Sequence, residues 1–385
     1  KIKKKNKVIN LNKQNSIIDK LDFSLTDDQQ KSLNEINKDL SSPTKMFRLL
    51  QGDVGSGKTI VSLLAAINSI NSGFQVAFMA PTEILARQHY ILAKKIFPKN
   101  LNIELISSKS DYKIKKLILD KLSKNKINII FGTHAIFQKK VKFKKLGLII
   151  IDEQHKFGVN QRKKLSDKGG DNCDVLLMTA TPIPRTLTMT MYGDMDLSII
   201  REKPKIRKPI KTYSKLENKI DDVIKFIKKE ISLGNQIFWV CPLIDESKKI
   251  DHSSAINKFE YLNKIFPNQV SLLHGKTKIE EKELILNKFL KNDFKILVST
   301  TIIEVGIDFP NANVIVIENA NKFGLSQLHQ LRGRVGRGAK ESTCILMFKS
   351  NLSENAKKRI NILKNSNDGF QISEKDMKLR GFGDI

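Results

Sequence analysis

Short apolar runs alternate with longer amphipathic stretches along most of the chain, and the alternation occurs in two successive sets. Such runs are typical of strands that are buried on both faces of a parallel sheet, and the stretches between them have the spacing of helices. Strands that alternate with helices in this way predict βαβ units. The predicted strands are residues 46–50, 75–79, 127–131, 146–151 and 175–178 in the first set and 236–240, 270–273, 295–298, 314–317 and 344–348 in the second.

A charged, proline-punctuated stretch at residues 201–209 separates the two sets and is poor in apolar residues, as interdomain linkers are. With 385 residues, the chain is long enough for two cores of ordinary size. We therefore predict an α/β chain with two tandem parallel-sheet domains and a short C-terminal helical extension. The predicted boundaries are a basic N-terminal linker at 1–20, a first domain at 21–203, a second domain at 204–350 and the helical extension at 351–385.

The first domain contains a glycine-rich loop between the strand at 46–50 and a helix that we expect over 60–66. Its sequence is G-x-x-x-x-G-K-T, in which the glycines let backbone N–H groups converge on clustered negative charge. Lys58 is predicted to reach the β- and γ-phosphates of a nucleotide, and the Thr59 hydroxyl to bind Mg²⁺. A chance glycine-rich turn is the alternative, and the flanking strand and helix argue against it. The predicted binding residues of this loop are Gly52, Gly55, Gly57, Lys58 and Thr59.

An acidic pair, Asp152 and Glu153, follows the near-continuous apolar run at 146–151. The carboxyl ends of strands in open α/β sheets are where such proteins bind their ligands. Asp152 is predicted to hold Mg²⁺, directly or from its second shell, and Glu153 to polarise the attacking water. For the pair alone, a solvated helix start is the alternative. Together with the phosphate loop, the pair predicts hydrolysis of ATP or of a close relative.

Three arginines alternate with glycines near the end of the second set. Arginine is always charged and can form two parallel hydrogen bonds to a phosphate group. Arg334 and Arg337 are therefore predicted to stabilise the charge that develops on the γ-phosphoryl group. Supplied from the second domain, they would act only when the cleft is closed. An RNA-binding patch and a solvated basic turn are the alternatives. The fixed spacing of Gln330 and the glycines from both arginines argues against them.

The composition of the chain mainly indicates what kind of molecule the protein binds. Lys plus Arg number 68 against 40 Asp plus Glu, which gives a formal net charge of +28 at pH 7. Such an excess attracts a polyanion, usually nucleic acid, although the chain is rich in Lys, Asn and Ile throughout, which also fits a genome-wide bias. The three cysteines form no C-x-x-C pair, so we expect neither a zinc site nor a disulfide framework. No apolar run approaches membrane-spanning length, and we expect a cytoplasmic protein without a membrane partner.

Taken in order, these motifs resemble those of the superfamily 2 helicases, and they are similar in detail to the RecG branch of that superfamily. The resemblance runs from Leu21 to the C-terminus and implies two RecA-like domains that use ATP and Mg²⁺ to move along duplex DNA. It further implies reversal of stalled forks and branch migration of junctions in recombination and repair; we expect a monomer. The residues that the resemblance adds are Gln29 (with Thr26), Gly306 and Asp308 for the nucleotide, and Thr82, Arg87, His134, His155, Thr179, Thr181 and Gln330 for DNA or coupling.

The nearest alternative is the transcription-repair coupling factor, a DNA translocase that has the same kind of motor. Ser56 stands where that family typically has Phe, and Gln154 stands where it has Glu. Residues 365–370 and 380–383 resemble the start of the RecG helical hairpin, although Phe382 replaces a usual Pro. These details favour RecG.

Two hypotheses of other kinds remain open. One is a nucleotide-gated DNA-binding module with little turnover, which the intact Glu153 and both arginines disfavour. The other is an RNA helicase, which is disfavoured because the acidic motif is not Asp-Glu-Ala-Asp. Lys1 is not a Met, and both a wedge domain and the rest of the hairpin are missing, so we expect a piece of a longer chain.

Overall fold

Two compact units make up the chain, Lys1–Pro204 and Lys205–Ile385, and each contains one parallel sheet. This arrangement confirms the predicted α/β fold class. The computed structural model describes residues 2–107, 111–138, 140–153, 170–180, 195–204, 208–242, 250–275, 277–300, 309–336 and 340–380.

The sheet of the first unit has seven strands in the described part of the chain. They are β1 Phe47–Gly52, β2 Gln75–Met79, β3 Ile103–Ile106, β4 Ile129–Gly132, β5 Leu146–Ile151, β6 Asp174–Thr179 and β7 Asp196–Ile200. Their order is β3-β4-β2-β5-β6-β1-β7, and each adjacent pair is parallel. The carboxyl ends of all these strands therefore lie at one edge of the sheet.

Both faces of this sheet are covered, which explains why its central strands are apolar at consecutive positions. Ile150 and Leu176 pack into one buried cluster, and the neighbouring Ile149 and Leu177 pack into another on the opposite face. The helices of this unit within the described residues are α1 Leu11–Ile18, α2 Asp27–Ser41, α3 Lys58–Asn71, α4 Glu83–Ile96 and α5 Tyr112–Ser123.

Residues 2–20, which the sequence predicted to be a basic linker, are packed against the first unit instead. The Nζ atom of Lys4 donates to both carboxylate oxygens of Asp174 at 2.7 Å, the Lys7 ammonium contacts the same carboxylate, and all three side chains are fully buried. Burial lowers the pKa of Lys4, and Asp174 opposes that shift. Ile17 of α1 adds to the core. The prediction was wrong because lysines that look solvated in the sequence are neutralised by a carboxylate far along the chain.

The second unit is built around a six-stranded parallel sheet, again counting the described residues. Its strands are β8 Lys211–Leu216, β9 Gln236–Val240, β10 Val270–Leu273, β11 Ile296–Ser299, β12 Ala312–Ile317 and β13 Thr343–Phe348, in the order β10-β11-β9-β12-β13-β8. Its helices are α6 Ile220–Ser232, α7 Ile250–Ile265, α8 Ile279–Leu290, α9 Leu325–Arg332, α10 Glu354–Asn365 and α11 Gly369–Arg380. None of the helices in the described part of either unit combines the length and apolar character that crossing a bilayer requires.

Three strands, β3, β7 and β8, were not predicted, and all three lie at the edge of a sheet. Edge strands are partly exposed, so polar residues interrupt their apolar runs: β3 contains Glu104, and β8 contains Lys211, Ser214 and Lys215. The strands that the sequence did predict are mostly central, where burial on both faces requires a continuous apolar run.

Substitution of Asp174 by Asn tests the buried ion cluster. The amide keeps the shape of the side chain but removes the charge that compensates two buried ammonium groups, so the free energy of unfolding should fall by about 3–5 kcal/mol. Asp120→Asn is the matched control, because its ion pair with Lys124 is about half exposed, and it should cost less than about 1 kcal/mol. Urea denaturation followed by circular dichroism measures both; equal losses would contradict the burial argument.

Candidate active site

The carboxyl edge of the first sheet brings together most of the residues that the sequence predicted to be functional. Because the strands are parallel, the loops that follow β1, β2, β4, β5 and β6 all leave from this edge. In that order, those strand ends and loops carry the glycine-rich loop at 52–59, Thr82, His134, Asp152 with Glu153, and Thr179, and Arg87 lies in the helix α4 that Thr82 begins.

The glycine-rich loop connects β1 to the first turn of α3. Gly55 and Gly57 have φ values of +77° and +87°, in the left-handed region that favours glycine. A Cβ atom on Gly57 would lie 2.3 Å from Nε2 of Gln29, so a side chain there would displace Gln29. Among the described residues, no side chain caps α3. A helix N-terminus of this kind, with its backbone N–H groups and positive dipole, is suited to binding phosphate.

Lys58 is folded over this loop and is almost completely buried. Its Nζ atom donates to the carbonyl oxygens of Gly52 at 2.8 Å and Asp53 at 3.0 Å. These bonds hold the ammonium group within the curve of the loop. The next residue, Thr59, is partly exposed at the start of the helix, as a residue that meets a ligand must be.

Gln29 joins the start of α2 to the same loop. Its Nε2 donates to the carbonyl oxygen of Ser56 at 2.8 Å, and its Oε1 accepts from the backbone N–H of Thr26 at 3.0 Å. The Thr26 hydroxyl in turn accepts from the N–H of Gln29, which completes a capping box. The side-chain amide of Gln29 therefore supports the loop in this structure, and its part in binding the nucleotide stays a prediction.

The acidic pair lies at the end of β5 and is buried. Oδ2 of Asp152 is 2.9 Å from Nε2 of His89 on α4, and Oδ1 accepts from the N–H of Glu153 at 3.0 Å. Glu153 has a φ of +51°, and its Oε2 accepts from the N–H of Ala180, directly after β6, at 3.2 Å. Both carboxylates are thus oriented by contacts from different elements.

Sequence reasoning missed His89 as a member of this site. The histidine is 6% exposed, its ring centroid is 4.8 Å from that of Phe78, and it lies on the buried face of α4 between Ala86 and Ala93. A polar residue at a position where the helix pattern requires an apolar one is the signal that identifies it. Its ring nitrogen orients the Asp152 carboxylate, as partners of metal-binding carboxylates do.

The residues predicted to contact DNA, or to couple the nucleotide site to DNA, differ in their hydrogen bonds and in their exposure. The Thr82 hydroxyl accepts from the N–H of Leu85 at 3.3 Å and caps α4. Thr179 is fully buried at the end of β6. Arg87, on α4, and His134, which follows β4, are by contrast exposed, so a large ligand can reach them.

In the second unit, Arg334 and the neighbouring Arg332 are buried and Gln330 is half-buried. Nη1 of Arg332 donates to the carbonyl oxygens of Leu363 at 2.6 Å and Ser366 at 2.8 Å, at the C-terminal end of α10. These bonds join α9 to the helical extension. The other predicted residues, Arg337, Gly306, Asp308, His155 and Thr181, lie outside the described residues.

The described cysteines do not contribute a nucleophile. Burial raises the pKa of Cys173 to about 12 and that of Cys344 to about 12, and it raises the pKa of Cys241 as well, so the thiolate form is disfavoured.

No group of three or more His, Cys, Asp or Glu within the described ranges is placed to hold a metal ion. The oxygen donors of Thr59 and Asp152 do suit Mg²⁺, which commonly takes one or two protein oxygens and completes its shell with phosphate and water.

Two family models match the chain, one on each unit. The DEAD/DEAH box helicase family matches residues 24–190, and the helicase conserved C-terminal domain matches residues 218–339. Together they cover the glycine-rich loop, the acidic pair and the arginine motif. The chain therefore carries the paired domains of a helicase motor.

Individual relatives show which helicases the chain is similar to. The chain is 50% identical over 371 residues to the ATP-dependent DNA helicase RecG of Bacillus subtilis, and the match covers 96% of this chain. It is 48% identical over 367 residues to the ATP-dependent DNA helicase RecG of Streptococcus pneumoniae, and that match covers 95% of this chain. Each match covers 54% of the relative. A solved structure of RecG bound to a three-way DNA junction matches 99% of this chain and 50% of that one, with 42% identity and a TM-score of 0.88. The chain spans about half the length of the curated relatives it matches. Over that span, the chain is similar to the RecG helicases in both sequence and fold.

Proposed function

We propose that this chain hydrolyses ATP and couples the hydrolysis to movement along DNA, with branched DNA as the substrate in recombination and repair. The observation that carries the proposal is the hydrogen bond from Ala180 N–H to Glu153, because it connects the predicted water-activating carboxylate to β6, the strand beside β1 and its phosphate loop. The names of the relatives and the three-way junction in the related RecG structure support DNA as the partner.

In this proposal, the loop residues bind the triphosphate and the acidic pair acts on the water. The backbone N–H groups at the start of α3 and the Lys58 ammonium would neutralise the phosphates. Thr59 and Asp152 would hold Mg²⁺, which offsets phosphate charge when it is bound. Glu153 would orient the attacking water and accept its proton.

The contact between Glu153 and Ala180 also offers a way to transmit hydrolysis. A carboxylate is a stronger hydrogen-bond acceptor than a neutral acid, so proton uptake by Glu153 would weaken its bond to the N–H of Ala180. Ala180 follows β6 directly, so the change would reach the chain segment after that strand. This step links chemistry in the first unit to backbone movement.

Arg334 and Arg337 are proposed to complete the site when the nucleotide is bound, by stabilising charge on the transferred phosphoryl group. Besides the contacts of Arg332 with the end of α10, two further hydrogen bonds join the same segment to the helical extension. Ser326 Oγ donates to Asp376 Oδ2 at 2.6 Å, and Arg359 donates to the Phe323 carbonyl at 2.9 Å. The helical extension is therefore held to the arginine-bearing segment and would move with it.

DNA binding is proposed to rest on exposed cations at the carboxyl edge of the first sheet, including Arg87, and on the overall positive charge of the chain. Contacts with phosphates supply affinity without sequence preference, which suits an enzyme that moves along DNA.

The proposal is tested by phosphate release with no nucleic acid, linear duplex DNA, forked DNA and RNA. We expect forked DNA to stimulate turnover most, and we expect Lys58→Ala to abolish it, because the variant lacks the loop cation that neutralises the transferred phosphate. Near-normal turnover of Lys58→Ala would contradict the site. Stronger stimulation by RNA would favour an RNA helicase, and binding without turnover would favour a nucleotide-gated module.

Glu153→Gln separates binding from chemistry. The amide keeps an oxygen that can accept from Ala180 but cannot take a proton from water, so the ATP Kd should stay within about twofold while turnover falls by about 10² or more. Equilibrium titration with a fluorescent ATP analogue and the phosphate assay measure the two effects. An equal loss of binding would instead make Glu153 a structural or Mg²⁺-holding residue.

Arg337→Ala tests the role of the second-unit arginines. If Arg337 acts on the transferred phosphoryl group, turnover should fall by about 10³ while ATP affinity is nearly unchanged. Arg87→Ala is the comparison, because loss of a DNA contact should weaken DNA binding and spare turnover in the absence of DNA. Weakened DNA binding with unchanged turnover in Arg337→Ala would refute its catalytic role.

A further inference from the structure

The last residues of the first unit pass beside the glycine-rich loop. In the sheet, Ile200 at the end of β7 is in register with Gly52 at the end of β1. The chain that leaves β7 therefore starts next to the chain that enters the loop. Three residues later, Nζ of Lys203 lies 2.6 Å from Oδ2 of Asp53, the second residue of the loop.

Backbone contacts hold this exit segment in place. The N–H groups of Arg201 and Glu202 donate to Oδ2 of Asp28 at 2.8 and 3.1 Å, and the N–H of Asp28 donates to Oε2 of Glu202 at 3.3 Å. Asp28 lies in the first turn of α2, next to Gln29, which itself supports the loop. The position of Lys203 is thus set by anchored neighbours, unlike that of a lysine in an isolated surface ion pair.

Asp53 brings a negative charge into a loop that is built to bind an anion. Its side chain is 3% exposed, its Oδ1 accepts from the N–H of Val54 at 2.7 Å, and its carbonyl oxygen accepts from Lys58. A buried carboxylate without a counter-charge would repel the phosphates of a nucleotide on the same loop. Lys203, whose side chain is 37% exposed, supplies that counter-charge from the solvent side.

We propose that Lys203 is a positioning residue for nucleotide binding: it neutralises Asp53 and so sets the affinity of the loop for ATP. The inference rests on the proposed function, because it takes ATP as the ligand of this loop. Lys203 directly precedes Pro204, where the first unit ends, so the residue that balances the loop charge lies at the point where the chain leaves that unit.

The test compares Lys203→Gln with three other variants by titration with a fluorescent ATP analogue. Lys203→Gln is expected to raise Kd about fivefold at low salt, and less at high salt, since one uncompensated charge acts through a partly solvated medium. Asp53→Asn combined with Lys203→Gln should return Kd to within about twofold of wild type, because the charge to be balanced is gone and the amide oxygen can still accept from Val54. Lys203→Arg should bind normally, and Lys208→Gln controls for loss of one exposed lysine charge.

Turnover at saturating ATP separates charge balance from a structural role. The proposal predicts a raised KM with an unchanged kcat for Lys203→Gln. An unchanged Kd, or a double variant as weak as the single one, would overturn it. Wild-type protein that binds the analogue but releases no phosphate with DNA would refute the proposed hydrolysis alone, and Kd would still decide the role of Lys203. Wild-type protein that binds no nucleotide would overturn both.

Discussion

Strand β6 is in register with β1 on one side and with β5 on the other, so Thr179 pairs with Gln51 and Leu177 with Ile151. This parallel pairing places the end of the phosphate-loop strand and the end of the acidic-pair strand on either side of one strand. The bond from Ala180 to the carboxylate after β5 then joins β5 and β6 at their carboxyl ends. A slip of one residue would turn every side chain of β6 to the other face of the sheet, so the site depends on this register.

Polar contacts hold β6 at both of its ends, while its middle is apolar. At the amino end, Asp174 binds the two buried lysines of the N-terminal segment, and its Oδ1 also accepts from the N–H of Met46 at 2.7 Å, just before β1. A buried charge is costly unless it is paired and hydrogen-bonded. The two apolar clusters stabilise the unit, and the paired charges act against other alignments of its strands, which would leave those charges without partners.

In the second unit as well, a buried charged side chain is hydrogen-bonded to groups of another element. There, the buried guanidinium of Arg332 reaches two carbonyl oxygens at the end of α10, where a helix leaves its last carbonyls without partners in the helix. Five donors in a planar fork allow one side chain to satisfy several such groups. The segment with the arginine motif and the helical extension are consequently joined by several side-chain hydrogen bonds.

The sequence alone was sufficient for the features that depend on near neighbours or on burial from both sides. Glycine spacing predicted the loop, and continuous apolar runs predicted the central strands. It was insufficient for the edge strands β3, β7 and β8, which are only half covered. It was also insufficient for residues 2–20, His89 and Lys203, since their partners lie far along the chain. The residue types and their local spacing therefore determined which chemistry this chain carries. Only the tertiary structure decided which charges are neutralised and which side chains orient that chemistry, because folding alone brings such distant residues within hydrogen-bonding distance.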